Sequence, residues 1–341
     1  MSKAYPTRLS YRKAWTDAYL IDPPVPLNLD IELASACNAK CSFCLYGDRD
    51  WRDGMEENAW DGKAKRRFMP TDMAIALIDE AVELGIPAIK TNFRGESTLH
   101  RDYHEIMAYA RRATAGDIRC QCHVFGAHPA LHDLIVNTNG NCPEKSINGL
   151  MCATKVIVSL DSMDPAIYPK VRVGLKLERA LEVIDELVSH RHPDLWVRRV
   201  VCKDNETEDF KGAVLARWPS GVRVSQHWAL DRNHYKNEAV YEDDPSNWER
   251  TFCGYTAQRT VVDSSGRFVA CCISWENEVS PPDMVYPKTS IKQYWDSDWR
   301  KNLTAELRRN EINNPKCVKC TSFAAYVRPE RAALMDAEIV S

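Results

Sequence analysis

Between about residues 29 and 230 the apolar positions of this 341-residue chain keep two alternating rhythms. Leu29-Asp30-Ile31-Glu32-Leu33 alternates apolar and polar with the period of two that marks a strand. Short apolar-rich runs at 88–93, 134–138, 155–161, 196–202 and 222–228 predict five more strands. Between them, helices are predicted over 71–84, 102–112 and 177–189. In the first of these, Ile75, Leu77, Ile78, Ala81 and Val82 repeat at helical spacing, Thr71 caps the start and Gly85 marks the end. Six strands with intervening helices predict a βα repeat, hence an α/β fold on a parallel sheet with right-handed crossovers. Periodicity leaves open whether that sheet is flat or curves into a partial barrel.

The flanks read differently. Residues 1–28 are polar and punctuated by Pro23, Pro24 and Pro26, which predicts an extended lead-in to the first strand. After residue 231 the βα rhythm stops. A hairpin with a Ser-Gly turn is predicted over 261–270 and a helix over 298–309, and the tail, 321–341, reads as a docked helix or a frayed end. The expected organisation is an N-terminal extension (1–28), a βα core (29–230) and a small Cys-rich α+β region with its tail (231–341).

Charge and composition narrow the function. A formal net charge of −3 leaves no global basic footprint of the kind that drives nucleic-acid binding. The basic run at 62–67 reads as a solvated loop or as a patch meeting an anionic substrate group or a reductant protein. No apolar run is long enough to span a bilayer, and the N-terminus lacks a signal peptide's apolar core, so a cytoplasmic protein is expected. There the thirteen cysteines stay reduced, and their clustering reads as metal ligation.

Cys37, Cys41 and Cys44 fall in the spacing C-x3-C-x2-C, directly after the first strand. Three local thiolates leave one iron of a [4Fe–4S] cubane without a protein ligand, and chemistry can occur at that iron. A structural zinc site would need a distant fourth ligand, and a disulfide framework belongs to small secreted domains. A loop after a first strand is also where a barrel keeps its active site. The second strand runs into Gly95-Glu96, where a glycine lets backbone approach a ligand and a carboxylate can accept from an ammonium; a plain turn is the other reading. Cys120, Cys122 and His123 read as metal-binding or as incidental. Cys253, Cys271, Cys317 and Cys320 suit one fully ligated centre, [4Fe–4S] or zinc, with Cys272 able to replace its neighbour. Cys202, at a strand end, reads as a small buried apolar residue.

The cysteine spacing, with Phe43 before the third Cys, resembles the cluster motif of the radical S-adenosylmethionine (SAM) enzymes. The resemblance implies a partial (β/α)6 TIM-like barrel, with the cluster and SAM at the strands' C-terminal ends. It also implies that the open iron chelates SAM and that an electron from the cluster cleaves it to a 5′-deoxyadenosyl radical. That family's Gly-Gly-Glu-Pro turn is matched here by Gly95 and Glu96, while Arg94 and Ser97 depart from it. Thr138-Asn139-Gly140 and Ser159-Leu160-Asp161 resemble its fourth and fifth strand ends. The implied SAM contacts are Gly95, Glu96, Asn139, Ser159 and Arg172. The layout C-x12-G-x4-C with a later C-x2-C resembles the SPASM auxiliary-cluster extension in its one-cluster twitch form, implying a second [4Fe–4S] on Cys253, Cys271, Cys317 and Cys320.

The expected function, as the resemblance implies it, is hydrogen abstraction from a C–H bond of a small polar molecule or a peptide side chain, with Cys202 as the candidate to return a hydrogen atom to the substrate radical. The electron donor implied is a protein such as flavodoxin or ferredoxin, and the product a net oxidation or modification. Two other readings stay open: radical SAM modification of a nucleotide or nucleic-acid base, and a non-enzymatic iron–sulfur or zinc protein.

Overall fold

The computed structural model describes residues 5–44, 67–112, 131–228, 253–271, 274, 277–318 and 320. The charged stretch 45–66, the cluster of Cys120, Cys122 and His123, Cys272 and the tail 321–341 lie outside those residues. Six strands pair in parallel in chain order: β1 (Asn28–Ile31), β2 (Ala88–Lys90), β3 (Asp133–Thr138), β4 (Lys155–Ser159), β5 (Leu195–Val201) and β6 (Arg223–Trp228). Between them run α2 (Thr71–Leu84), α3 (Tyr103–Arg112), α4 (Glu144–Met151), α5 (Tyr168–Val171), α6 (Leu177–Ser189) and α7 (Phe210–Arg217).

The two faces of each strand differ. Ile89, Leu134, Val136, Val156, Val158 and Val197 are sealed into the same core as Leu77, Ile78, Ala81, Ile106, Ala180 and Ile184 of the helices. Residues one step out of phase, Lys90, Asn137, Ser159 and Arg198, line cavities on the concave side. The period of two thus divides a helix-covered wall from a polar interior.

Three details differ from the sequence reading. The lead-in contains a helix, α1 (Arg8–Asp17), nucleated by a capping box: Ser10 N donates to Thr7 Oγ1 and Thr7 N to Ser10 Oγ, each at 3.1 Å. Buried Tyr11 anchors it by stacking on His132, and the three prolines fall after its end. Thr71 is the first helical residue of α2 and not its cap, because its hydroxyl donates to Asp102 at 2.6 Å. Gly85 does close that helix, at φ +75°.

The third difference positions the site. The sheet does not end at residue 230. After α8 (Tyr255–Gln258), β7 (Arg259–Val262) pairs in parallel with β1, from Asn28 opposite Arg259 to Ile31 opposite Val262. β8 (Phe268–Val269) folds back antiparallel on β7 through a turn with Gly266 at φ +86°. The sheet order is therefore β6-β5-β4-β3-β2-β1-β7-β8. α9 (Ile291–Trp295), α10 (Asp298–Arg309) and α11 (Pro315–Val318) follow, with Phe268 stacked on Tyr294 at 4.6 Å. No helix among the described residues is long and apolar enough to cross a membrane.

Candidate active site

The cysteine loop after β1 is pinned on two sides. Lys40 N donates to Val173 O at 2.8 Å and Ser42 N to Val171 O at 3.1 Å, which tie it to the last residue of α5 and the segment that follows. On the other side Asn139 Nδ2 donates to Asn38 Oδ1 at 2.7 Å, and Asn38 Nδ2 to Asn141 O at 2.8 Å. Three asparagines at the C-terminal end of β3 and in the loop thus set the position of the thiols, and of these only Asn139 is singled out by sequence.

The turn after β2 packs against the same loop. Gly95 has φ +64°, and a Cβ there would lie 2.4 Å from Ala34 O and 2.6 Å from Ala36 O, both backbone. Gly95→Ala is therefore expected to lower the thermal midpoint, since left-handed strain of about 1–3 kcal/mol adds to a collision only main-chain movement relieves. Calorimetry of the variant checks this; an unchanged midpoint would contradict it. Glu96 N donates to Ala36 O at 2.8 Å. The buried Glu96 carboxylate accepts from Thr98 Oγ1 and Asn139 N, each at 2.7 Å, so it ties the turn to β3. Burial pushes its pKa up, against hydrogen bonds from Thr98, Asn139 and Thr138 that pull it down.

Arg94, where the resembled motif has glycine, is 1% exposed and locks the turn to two strands. Its Nε and Nη2 donate to the two oxygens of Glu32 at 2.8 and 3.0 Å, and its Nη2 also reaches Asp263 Oδ2 at 3.3 Å. Glu32 in turn accepts from Ser264 N at 2.9 Å, and Asn277 Nδ2 donates to Asp263 at 3.2 Å. The guanidinium fork so holds β1, the turn and the β7–β8 hairpin at one point.

Arg172 projects from the end of α5 into the cluster loop. It pairs with Asp161, donates from Nη1 to Cys41 Sγ at 3.3 Å, and its guanidinium lies 5.5 Å from the Phe43 ring. Asp161 sits at φ +66°, tolerated by its short polar side chain, and also accepts from Val200 N at 2.7 Å. Asp161 is a functional neighbour that sequence alone does not single out, although it ends the Ser159-Leu160-Asp161 phrase.

These groups surround one cavity of about 200 Å³ lined by Cys37, Cys41, Cys44, Gly95, Glu96, Asn139, Ser159 and Arg172 among others. Of the residues expected in the core site, Cys202 is not on that wall. It is 0% exposed, packed with Val171, and its N–H is taken by Asn205 Oδ1 at 2.8 Å. Its placement matches the small buried residue rather than a donor facing a radical. In the C-terminal region Cys253, Cys271 and Cys317 pack on one apolar cluster with Ala270, Val279, Leu303 and Leu307, and Cys320 N donates to Cys317 O at 3.2 Å. Among the described residues no three His, Cys, Asp or Glu side chains draw together closely enough for a single metal ion.

The donor set of the cavity fits an iron–sulfur cluster with SAM. Burial, then the negative charge of Glu96, pushes the Cys37 thiol up to about 12, and burial also raises Cys41 against the pull of Arg172. Such thiols deprotonate when a cation arrives to compensate, which is what iron does. The methionine end of SAM carries an ammonium and a carboxylate, and the cavity offers Glu96 and Arg172 on opposite signs of charge.

Comparison with known proteins agrees. A family model described as the radical SAM superfamily matches residues 31–214. A probable GTP 3',8-cyclase of Methanococcus maripaludis is 25% identical over 160 residues, 46% of this chain and 44% of the relative. The GTP 3',8-cyclase of Stenotrophomonas maltophilia is 27% identical over 164 residues, 45% of this chain and 42% of the relative. The chain thus spans under half the length of these curated relatives. Among solved structures, Streptococcus suis SuiB bound to precursor peptide SuiA superposes at TM-score 0.60 and 13% identity, covering 92% of this chain and 72% of that one. BtrN in complex with AdoMet and 2-DOIA gives 0.51 at 14% identity, covering 89% and 99%. These structural likenesses speak to the fold, whereas the sequence model spans more than half of the chain and includes the cluster loop and the strand ends. The chain belongs to the radical SAM superfamily of enzymes, which work with a [4Fe–4S] cluster and S-adenosylmethionine.

Proposed function

We propose that Cys37, Cys41 and Cys44 hold the SAM-binding [4Fe–4S] cluster, and that the enzyme abstracts hydrogen from a C–H bond of a substrate enclosed in the barrel. The observation that carries this reading is the single cavity on which all three thiols, Gly95, Glu96, Asn139, Ser159 and Arg172 open. When bound, the cluster and SAM supply one electron and a carbon radical able to attack unactivated C–H bonds. The chain's own residues select and shield. Gly95 lets the turn backbone approach the ligand, Glu96 and Arg172 receive its ammonium and carboxylate, and the helix-covered wall keeps water from the radical's path.

The C-terminal region serves as a twitch-type auxiliary-cluster domain, with Cys253, Cys271, Cys317 and Cys320 as ligands of a second [4Fe–4S] cluster. Three of those thiols lie on one apolar cluster, which supports a shared centre. An external donor such as flavodoxin or ferredoxin delivers the electron. The substrate is a small polar molecule or a peptide side chain. A nucleotide substrate is the second reading, favoured by the GTP 3',8-cyclase names of the curated relatives.

The test is anaerobic reconstitution followed by incubation with SAM and a strong reductant. 5′-Deoxyadenosine is the expected product, and the protein should carry about eight irons and eight sulfides if both cubanes are present. No SAM cleavage would end the proposal. A count of about four of each, with cleavage retained, would remove the auxiliary cluster alone.

A further inference from the structure

The backbone sets Cys41 and Arg172 opposite each other. Lys40 N donates to Val173 O at 2.8 Å and Ser42 N to Val171 O at 3.1 Å, so the residues flanking Cys41 bond the residues flanking Arg172, with the two segments running in opposite directions. The side chains meet inside this pairing. Arg172 Nη1 donates to Cys41 Sγ at 3.3 Å, and both residues are buried.

Asp161 holds the same guanidinium. Its carboxylate pairs with Arg172 and is shut off from solvent. The chain around the ends of β4 and β5 fixes that carboxylate in turn: Asp161 Oδ1 accepts from Val200 N at 2.7 Å, and Asp161 O accepts from Asn205 Nδ2 at 2.8 Å. Asn205, fully buried, also accepts from Cys202 N at 2.8 Å and donates to Val200 O at 3.0 Å. A left-handed backbone at φ +66° and a carboxylate removed from water both cost free energy, and a cation offsets the second only if it stays in place. The bonds around Asp161 thus immobilise Arg172, and the group that Arg172 reaches is a thiol of the cluster motif.

We propose that this pair sets the reduction potential of the SAM-binding cluster, with Arg172 donating to the Cys41 thiolate and Asp161 as the positioning residue that keeps it there. Reduction brings one electron from an external donor, protein or chemical, onto the cluster and its thiolates. Arg172 keeps its charge throughout. A fixed cation hydrogen-bonded to a ligand sulfur favours the more negative, reduced state, so the potential rises. The Glu96 carboxylate lines the same cavity and acts in the opposite sense. Receiving the carboxylate of SAM would not by itself call for a bond to sulfur. The proposal rests on the reading of Cys37, Cys41 and Cys44 as the cluster ligands.

The test uses the reconstituted full chain without SAM, poised anaerobically at a series of potentials and followed by EPR. The signal missing from the triple alanine variant of Cys37, Cys41 and Cys44 belongs to this cluster. In Arg172→Gln its reduction should become roughly tenfold less favourable, a fall of about 59 mV for one electron. Arg172→Lys keeps the charge without the planar fork and should fall less. Asp161→Asn decides the positioning role by its sign. Loss of a negative charge alone would raise the potential, whereas a fall shows that Arg172 has been released from Cys41. Asparagine tolerates the left-handed backbone and can still accept from Val200 N, so the fold should hold. Should a variant lose its cluster, the unaltered chain serves: with arginine isotopically labelled in its guanidino nitrogens, pulsed EPR of the reduced protein should show a coupling to the label. An unmoved potential in Arg172→Gln, a rise or no change in Asp161→Asn, or no coupling to the label overturns the proposal. A triple variant that keeps every cluster signal would instead overturn the site assignment beneath it.

Discussion

With Cys37, Cys41 and Cys44 exchanged together for alanine, the anaerobically reconstituted chain forms no 5′-deoxyadenosine from SAM under reductant. The expected loss is complete, because the three thiols open on the one cavity that also offers Glu96 and Arg172, and alanine cannot ligate iron. The C-terminal cysteines remain in this variant. Its iron content should therefore fall by about half, to about four irons, if the auxiliary site is loaded. Product that persists in the triple variant would place the reducing cluster elsewhere. The protein should stay folded, since Asn38, Asn139 and Asn141 fix the loop through hydrogen bonds that do not involve sulfur.

Arg94→Ala is expected to be among the most destabilising single substitutions, at about 3–5 kcal/mol. The guanidinium and the Glu32 carboxylate it meets are both shut off from solvent, and Asp263 shares the same cation. Removing it strands two buried carboxylates without their counter-charge, a larger penalty than a cavity of equal volume. Denaturant unfolding measures the cost. A double variant, Arg94→Leu with Glu32→Leu, should recover part of it by removing one of the stranded charges along with the cation. If Arg94→Ala loses under about 1 kcal/mol, the three-way junction is not a structural anchor.

Much of the βα order is legible in the chain because the helix-facing side of each strand is continuously apolar. Val156, Val158 and Val197 announce strands whichever way the other face turns. What that other face does is less legible. In Ala88-Ile89-Lys90 the lysine lines cavities on the inner side of the sheet, a placement that alternation alone does not distinguish from exposure to solvent. The helix α1 is hidden for another reason. Its nucleus is a Thr7 and Ser10 pair rather than the Ser/Thr-to-Glu spacing that signals a capping box, and its stability comes from Tyr11 and His132, which are far apart in sequence. Arg94 looks like a flaw in a glycine motif until Asp263, far along the chain, is seen to share its cation. Asp161 needs Arg172 beside it before its role can be read.

β1 lies between a strand made soon after it and another drawn from residues 259–262. Most neighbours in this sheet are close in sequence, so a nascent chain can zip them as it emerges. The first strand must wait until residues 259–262 are synthesised before its second edge is covered. During that interval a strand with one open edge of hydrogen-bonding groups sits next to the thiol loop. Iron–sulfur insertion before release from the ribosome would therefore meet a half-built mouth, and maturation of this enzyme is best pictured as a late event, set by the arrival of its last hairpin.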